Sequence, residues 1–82
     1  MPYFNNRESI EDFVEYMNSR SFGKGILETF DRACNVRKLA TGDIDHVEVW
    51  FSSFTDPGED YTLYKFFNNE NKELFSFEIE GY

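Results

Sequence analysis

The chain has 82 residues and a net charge of −8, which allows one core and no second domain, since a chain of this size buries only about 60 to 65% of its unfolded surface. Apolar residues make up 40% of it and aromatic residues 20%, which excludes a disordered acidic tail, because that much Phe and Tyr can offset the entropy of ordering. An acidic surface is repelled by phosphate backbones and anionic lipid, so direct binding to nucleic acid or membrane is disfavoured and basic proteins are the natural counter-surface.

Cys34 is the only cysteine. No intrachain disulfide can form, which favours a reducing compartment. No stretch reaches the roughly 18 apolar residues of a membrane span, and Met1-Pro2-Tyr3-Phe4-Asn5-Asn6-Arg7 lacks the basic-then-apolar pattern of a signal peptide. A soluble cytoplasmic protein is expected.

Residues 1–8 mix aromatic side chains with Asn and Pro and read as an irregular lead-in, or a short edge strand, with no role assigned. From Glu8 onward Ile10, Phe13, Val14 and Met17 fall on one face of a 3.6-residue helix. Ser9 is the expected N-cap, Glu11 and Asp12 suit the first turn, and Arg20 suits the end. The first helix is placed over Ser9 to Ser19. Ser21-Phe22-Gly23-Lys24-Gly25 breaks the pattern as a helix–helix corner, its glycines supplying a permissive backbone. Ile26, Leu27, Phe30, Ala33 and Cys34 then resume helical spacing, so a second helix is placed over Gly25 to Arg37. Arg32, Arg37 and Lys38 gather in its C-terminal half, where the helix dipole favours cations.

Thr41-Gly42-Asp43 closes the helical part, residues 9–40. Residues 43–82 then read as an acidic β-meander. In the first strand Val47, Val49 and Phe51 alternate with His46, Glu48, Trp50 and Ser52. An acidic Pro-Gly turn, Thr55 to Asp60, leads to an aromatic strand from Tyr61 to Phe67. Asn68 to Lys72 is a polar hairpin connection, and Glu73 to Glu80 alternates again. The expected fold class is α+β in the order ααβββ, a single domain over residues 1–82 with two N-terminal helices packed on one face of a three-stranded antiparallel meander. If Val47, Val49, Phe51, Phe75, Phe77 and Ile79 meet the helices, then Glu48, Trp50, Leu74, Glu78 and Glu80 point away from them. The second strand is ambiguous, because both of its faces carry aromatic or aliphatic residues. Lys65 is more comfortable on the open side, together with Leu63 and Phe67.

Residues 1–40 hold six acidic and six basic side chains, whereas residues 41–82 hold ten acidic side chains against Lys65 and Lys72. The whole net charge therefore lies in the second half, an asymmetry that speaks about partners. Conventional chemistry is harder to assemble. Asp43-Ile44-Asp45-His46-Val47-Glu48 invites a metal or acid–base reading, but strand alternation sends Asp43 and Asp45 one way and His46 and Glu48 the other. Residues 56–60 lack the length and spacing of an EF-hand loop. Cys34 on an apolar helix face reads as core filling, and Gly23-Lys24-Gly25 lacks the spacing of a phosphate loop. No catalytic set, cofactor site or metal site is expected.

The function expected from these residues is that of a non-enzymatic acidic inhibitor. It would occlude the basic surface of a nucleic-acid-binding protein or nuclease, its carboxylates imitating the charge of a nucleic-acid backbone. Glu48, Glu78 and Glu80 supply charge on the sheet, Asp56, Glu59 and Asp60 supply it in the loop, and Trp50 is the best single anchor. In size, charge and lack of catalytic motifs the chain is broadly similar to small acidic phage-encoded antagonists of host nucleases, anti-CRISPR and anti-restriction proteins among them, and to immunity proteins and antitoxins. The likeness is one of composition. The alternatives are a homo-oligomeric structural or accessory protein that buries Trp50, Leu63, Phe67 and Leu74 against a second copy, and a regulatory adaptor that binds through Arg32, Arg37 and Lys38.

Overall fold

A computed structural model describes residues 3–52 and 61–80 of the chain. Two helices and an antiparallel sheet of four strands make an α+β fold, with elements β1 (Tyr3–Ser9), α1 (Ile10–Asn18), α2 (Gly23–Val36), a short 3-10 turn (Thr41–Asp43), β2 (His46–Phe51), β3 (Tyr61–Phe67) and β4 (Glu73–Glu80). The strands lie in the order β1-β2-β3-β4, so β1 and β4 are the two edges. Among the described residues no helix is long and apolar enough to cross a membrane.

The ααβββ order is corrected by β1, a fourth strand at the start of the chain, and of the two readings of residues 1–8 the edge strand replaces the irregular lead-in. The segment has poor strand propensity because of Asn5 and Asn6, and it lacks a clean alternation. What makes it a strand is the free edge of β2. Tyr3 pairs with Phe51 and Phe4 with Trp50, and both ring pairs meet edge to face at 6.1 and 5.5 Å. Such cross-strand aromatic pairs stabilise a sheet beyond their backbone hydrogen bonds. A bulge between Phe4 and Asn6 absorbs the extra residue.

Ser9 ends β1 and also caps α1, its side-chain oxygen accepting the Asp12 N–H at 3.1 Å. The helix stops at Asn18 with Ser19 as C-cap, close to the limits expected from the apolar spacing. The second helix starts earlier than expected, at Gly23, because that glycine is needed for proximity rather than for an unusual backbone angle. A Cβ on Gly23 would sit 1.9 Å from the Met17 carbonyl oxygen, whereas one on Gly25 would meet nothing within 4 Å. At the other end of α2 the Leu39 N–H donates to Cys34 and the Lys38 N–H to Asn35, a paired C-terminal motif that forces Lys38 to φ 56°.

One face of the sheet carries Val47, Val49, Tyr64, Phe66 and Phe75 into a core shared with Ile10, Phe13 and Met17 of α1 and Ile26, Phe30 and Cys34 of α2. Register keeps like with like. Val47, Phe66 and Phe75 form one cross-strand row, and Val49, Tyr64 and Phe77 form the next. The other face therefore receives Glu48 and Trp50 from β2 and Leu63, Lys65 and Phe67 from β3, as the alternation implied.

Gly23→Ala should destabilise the fold by about 2 kcal/mol, because a methyl group against backbone forces the two helices apart. Gly25→Ala should be neutral or gain about 0.5 kcal/mol, by removing glycine's entropy from an open helical position. Urea denaturation of both variants checks the pair. In the same assay Lys38→Gly should gain about 1 kcal/mol by relieving the left-handed conformation of a residue with a Cβ.

Candidate functional site

On the sheet face away from the helices, cross-strand register builds two rows around Trp50. Phe4, Trp50, Leu63 and Glu78 form one, and Arg7, Glu48, Lys65 and Ser76 form the other. Trp50 is half-buried, and its environment is ordered on three sides. The indole N–H donates to Glu48 Oε1 at 3.1 Å, the Lys65 ammonium lies 4.6 Å from the ring centroid, and Phe4 meets the ring edge to face. A tryptophan held in this way can be covered by a partner at little further entropic cost.

The acidic residues expected at the site have different settings. Glu48 stands in register between Arg7 and Lys65, so two cations lie beside it within the fold. Glu78 and Glu80 are exposed on the edge strand, and so is Glu73. Their cross-strand neighbours are Leu63, Tyr61 and Phe67, none of which carries charge. None of the three β4 carboxylates has a cation directly opposite it, whereas Glu48 accepts the Trp50 indole N–H. Asp56, Glu59 and Asp60 lie outside the described residues, as does the Pro57-Gly58 turn.

Sequence reading missed two contributors to this face, Phe4 and Arg7, because the segment was given no role even where it could be an edge strand. An aromatic dipeptide, Tyr3-Phe4, ahead of a polar run was the available signal. The cations of the adaptor alternative also have local uses. Arg37 donates to the Ala33 carbonyl at 3.1 Å and stacks on Phe75 at 5.1 Å, and Lys38 closes the end of α2. Arg32 is exposed.

The acidic segment before β2 is arranged differently from the alternation expected of it. Asp43 belongs to the 3-10 turn, where its carboxylate accepts the Ala40 N–H at 2.8 Å, and the strand proper begins only at His46. Asp45, just outside the strand, is free to turn back on its neighbour, and its Oδ2 lies 2.7 Å from His46 Nδ1. His46 is 4% exposed, stacks on Phe67 at 5.0 Å, and keeps Nε2 buried without a hydrogen-bond partner. Among the described residues no three His, Cys, Asp or Glu side chains are grouped to hold a metal ion.

Cys34 is buried within the shared core. Burial raises its thiol pKa first, Asp31 and Asp43 add to the rise, and Arg37 opposes it. A thiol so placed is a poor nucleophile at neutral pH. No protein-family model, curated protein or solved structure matches the chain.

Because the folded thiol holds its proton more tightly than the unfolded one, the Cys34 contribution is fully present below the ordinary thiol pKa and is lost as pH rises through the folded value. The stability difference between the natural chain and Cys34→Ala should therefore shrink between neutral and strongly alkaline pH. Denaturation curves at both pH values check it, and alkylation of Cys34 should be slow until denaturant is added.

Proposed function

We propose that this chain is a non-enzymatic protein inhibitor that uses its acidic edge strand and the adjoining sheet face to occupy a basic, normally nucleic-acid-contacting surface of another protein. The observation that carries this reading is the setting of Glu73, Glu78 and Glu80. These three exposed carboxylates on one edge strand face uncharged neighbours in the register, so their charge is available to an outside cation. Glu78 and Glu80, two residues apart on one strand face, stand roughly 7 Å from each other, a spacing comparable with that of phosphates along a nucleic-acid strand. Trp50 supplies the apolar anchor beside them, since tryptophan is enriched among residues that dominate interface energy. Its cost of ordering has already been met by Glu48 and Lys65.

Charge on an edge strand also prevents edge-to-edge association of copies, and that role is compatible with the first. It weighs against self-assembly through β4, because two copies paired there would align like charges. The adaptor reading has less support, since Arg37 and Lys38 serve the end of α2.

The test is an affinity pull-down of the tagged chain from cytoplasmic lysate of its native host, washed at low and at high salt. A basic nucleic-acid-binding protein should be retained at low salt and released at high salt. Glu78→Lys with Glu80→Lys should weaken its retention about tenfold or more and flatten the salt dependence, with the circular dichroism spectrum unchanged. Undiminished retention by that double variant would remove β4 from the interface.

A further inference from the structure

The helices do not cover the whole inner face of the sheet. Val49 and Tyr64 on that face are buried, but Phe51 and Ile79 nearer the strand ends are only partly buried. Alongside α1, between Asp12 and Met17 of the helix and Phe51, Thr62 and Ile79 of the sheet, a groove of about 780 Å³ remains open. That volume lies within the usual range of about 300 to 1,000 Å³ for binding pockets.

The walls of the groove are apolar and its rim is acidic. Met17, Ile26, Val49 and Ile79 contribute to the walls, and Tyr16 and Phe22 stand at the helix side, 45% and 56% exposed. Their rings meet at 6.3 Å, so the two aromatic groups form one continuous lip. Glu8, Asp12 and Glu80 complete the lining, together with the side-chain amides of Asn5 and Asn6, and no lysine or arginine is among the described lining residues. A cation already stacks beside it, since the Arg20 guanidinium lies 5.0 Å from the centroid of the Tyr16 ring. A large apolar group seated here would be removed from water, which is the favourable term such a groove offers. The three carboxylates select a positively charged neighbourhood for it.

We propose that this groove receives a bulky apolar side chain from a basic segment of the chain's protein partner, with Glu8, Asp12 and Glu80 pairing with lysine or arginine residues that flank it. The inference rests on the reading of the partner as a basic protein, and it adds a second contact area around the β4 edge from Trp50. Glu80 belongs to both areas, because it ends β4 and also lines the groove. The groove supplies apolar depth that the flatter sheet face lacks. Helix α1 presents Asp12 and Tyr16, one turn apart, on its groove side, and the corner after it presents Phe22.

The experiment selects a random dodecapeptide library on the immobilised full chain and then titrates the most enriched peptide against labelled variants. Enriched peptides should carry one large aromatic or aliphatic residue flanked by Lys or Arg. Their affinity should fall about tenfold or more in the Tyr16→Ser, Phe22→Ser double variant, and about threefold in Asp12→Asn, Glu80→Gln. Trp50→Ala and Glu78→Lys should bind the peptide as the natural chain does. Because Tyr16 and Phe22 are about half exposed, their loss should leave the thermal transition in place, which separates lost binding from lost folding. Enrichment of neutral or acidic peptides, absence of enrichment, or affinity lost in Trp50→Ala instead would overturn the proposal. So would a sedimentation mass of two chains that reverts to one in the Phe22→Ser variant, since a second copy would then be the occupant. A lysate partner that depends on Glu78 and is indifferent to Phe22 would overturn the groove while leaving the edge-strand reading intact. Peptide binding at the groove with no salt-sensitive lysate partner would do the reverse.

Discussion

Phe66 has no exposed surface, and rings from both helices and from the neighbouring strand close around it. Phe13 of α1 approaches at 5.3 Å, Phe30 of α2 at 5.0 Å, and Phe75 and Phe77 of β4 at 4.7 and 5.4 Å. Aromatic pairs at these separations contribute about 0.5 to 1.5 kcal/mol each beyond their buried area. In a domain without a disulfide, this cluster is what ties the helical half to the sheet. It also fixes the orientation of β3. With Phe66 pointing inward, Thr62 and Tyr64 must follow it, and Leu63, Lys65 and Phe67 must point out.

The orientation of β3 propagates through the register. Its pairing with β2 puts Lys65 opposite Glu48 and Leu63 opposite Trp50, and its pairing with β4 puts Leu63 opposite Glu78. A slip of one residue would drive Lys65 and Glu48 into the core, so the outer face is specified as strongly as the inner one. The same constraint leaves one edge strand neutral and aromatic and the other acidic. On β1, Arg7 and Glu8 offset each other beside Tyr3 and Phe4, whereas β4 carries only carboxylates among its charged side chains. The electrostatic asymmetry of the chain thus becomes an asymmetry between two edges of one sheet.

Helix packing shapes the remaining surface. Close approach of Gly23 to the Met17 carbonyl lets α2 start five residues after the end of α1 and pack back against it. The helical layer covers the central rows of the sheet, Val47 with Phe66 and Phe75, more fully than the end near Phe51.

Much of this was written in the local pattern. Apolar spacing placed both helices within about two residues, Ser9 was legible as a cap, and period-two alternation located the last three strands, while the faces of β3 stayed ambiguous in the pattern, because both are apolar, and only Lys65 hinted at the open side. Those features depend on interactions between near neighbours, or on the pleat of a single strand, and a linear sequence records both. What only the tertiary structure decided was everything that needed a distant partner. Tyr3 to Ser9 became a strand because β2 had an open edge, Gly23 was required because a carbonyl six residues earlier comes close, and Asp45 turned toward His46 because β2 begins one residue later. The differing settings of Glu48, with a cation opposite it on both neighbouring strands, and Glu78, with Leu63 opposite, were likewise invisible in a count of charges, because they depend on which residues the register brings together.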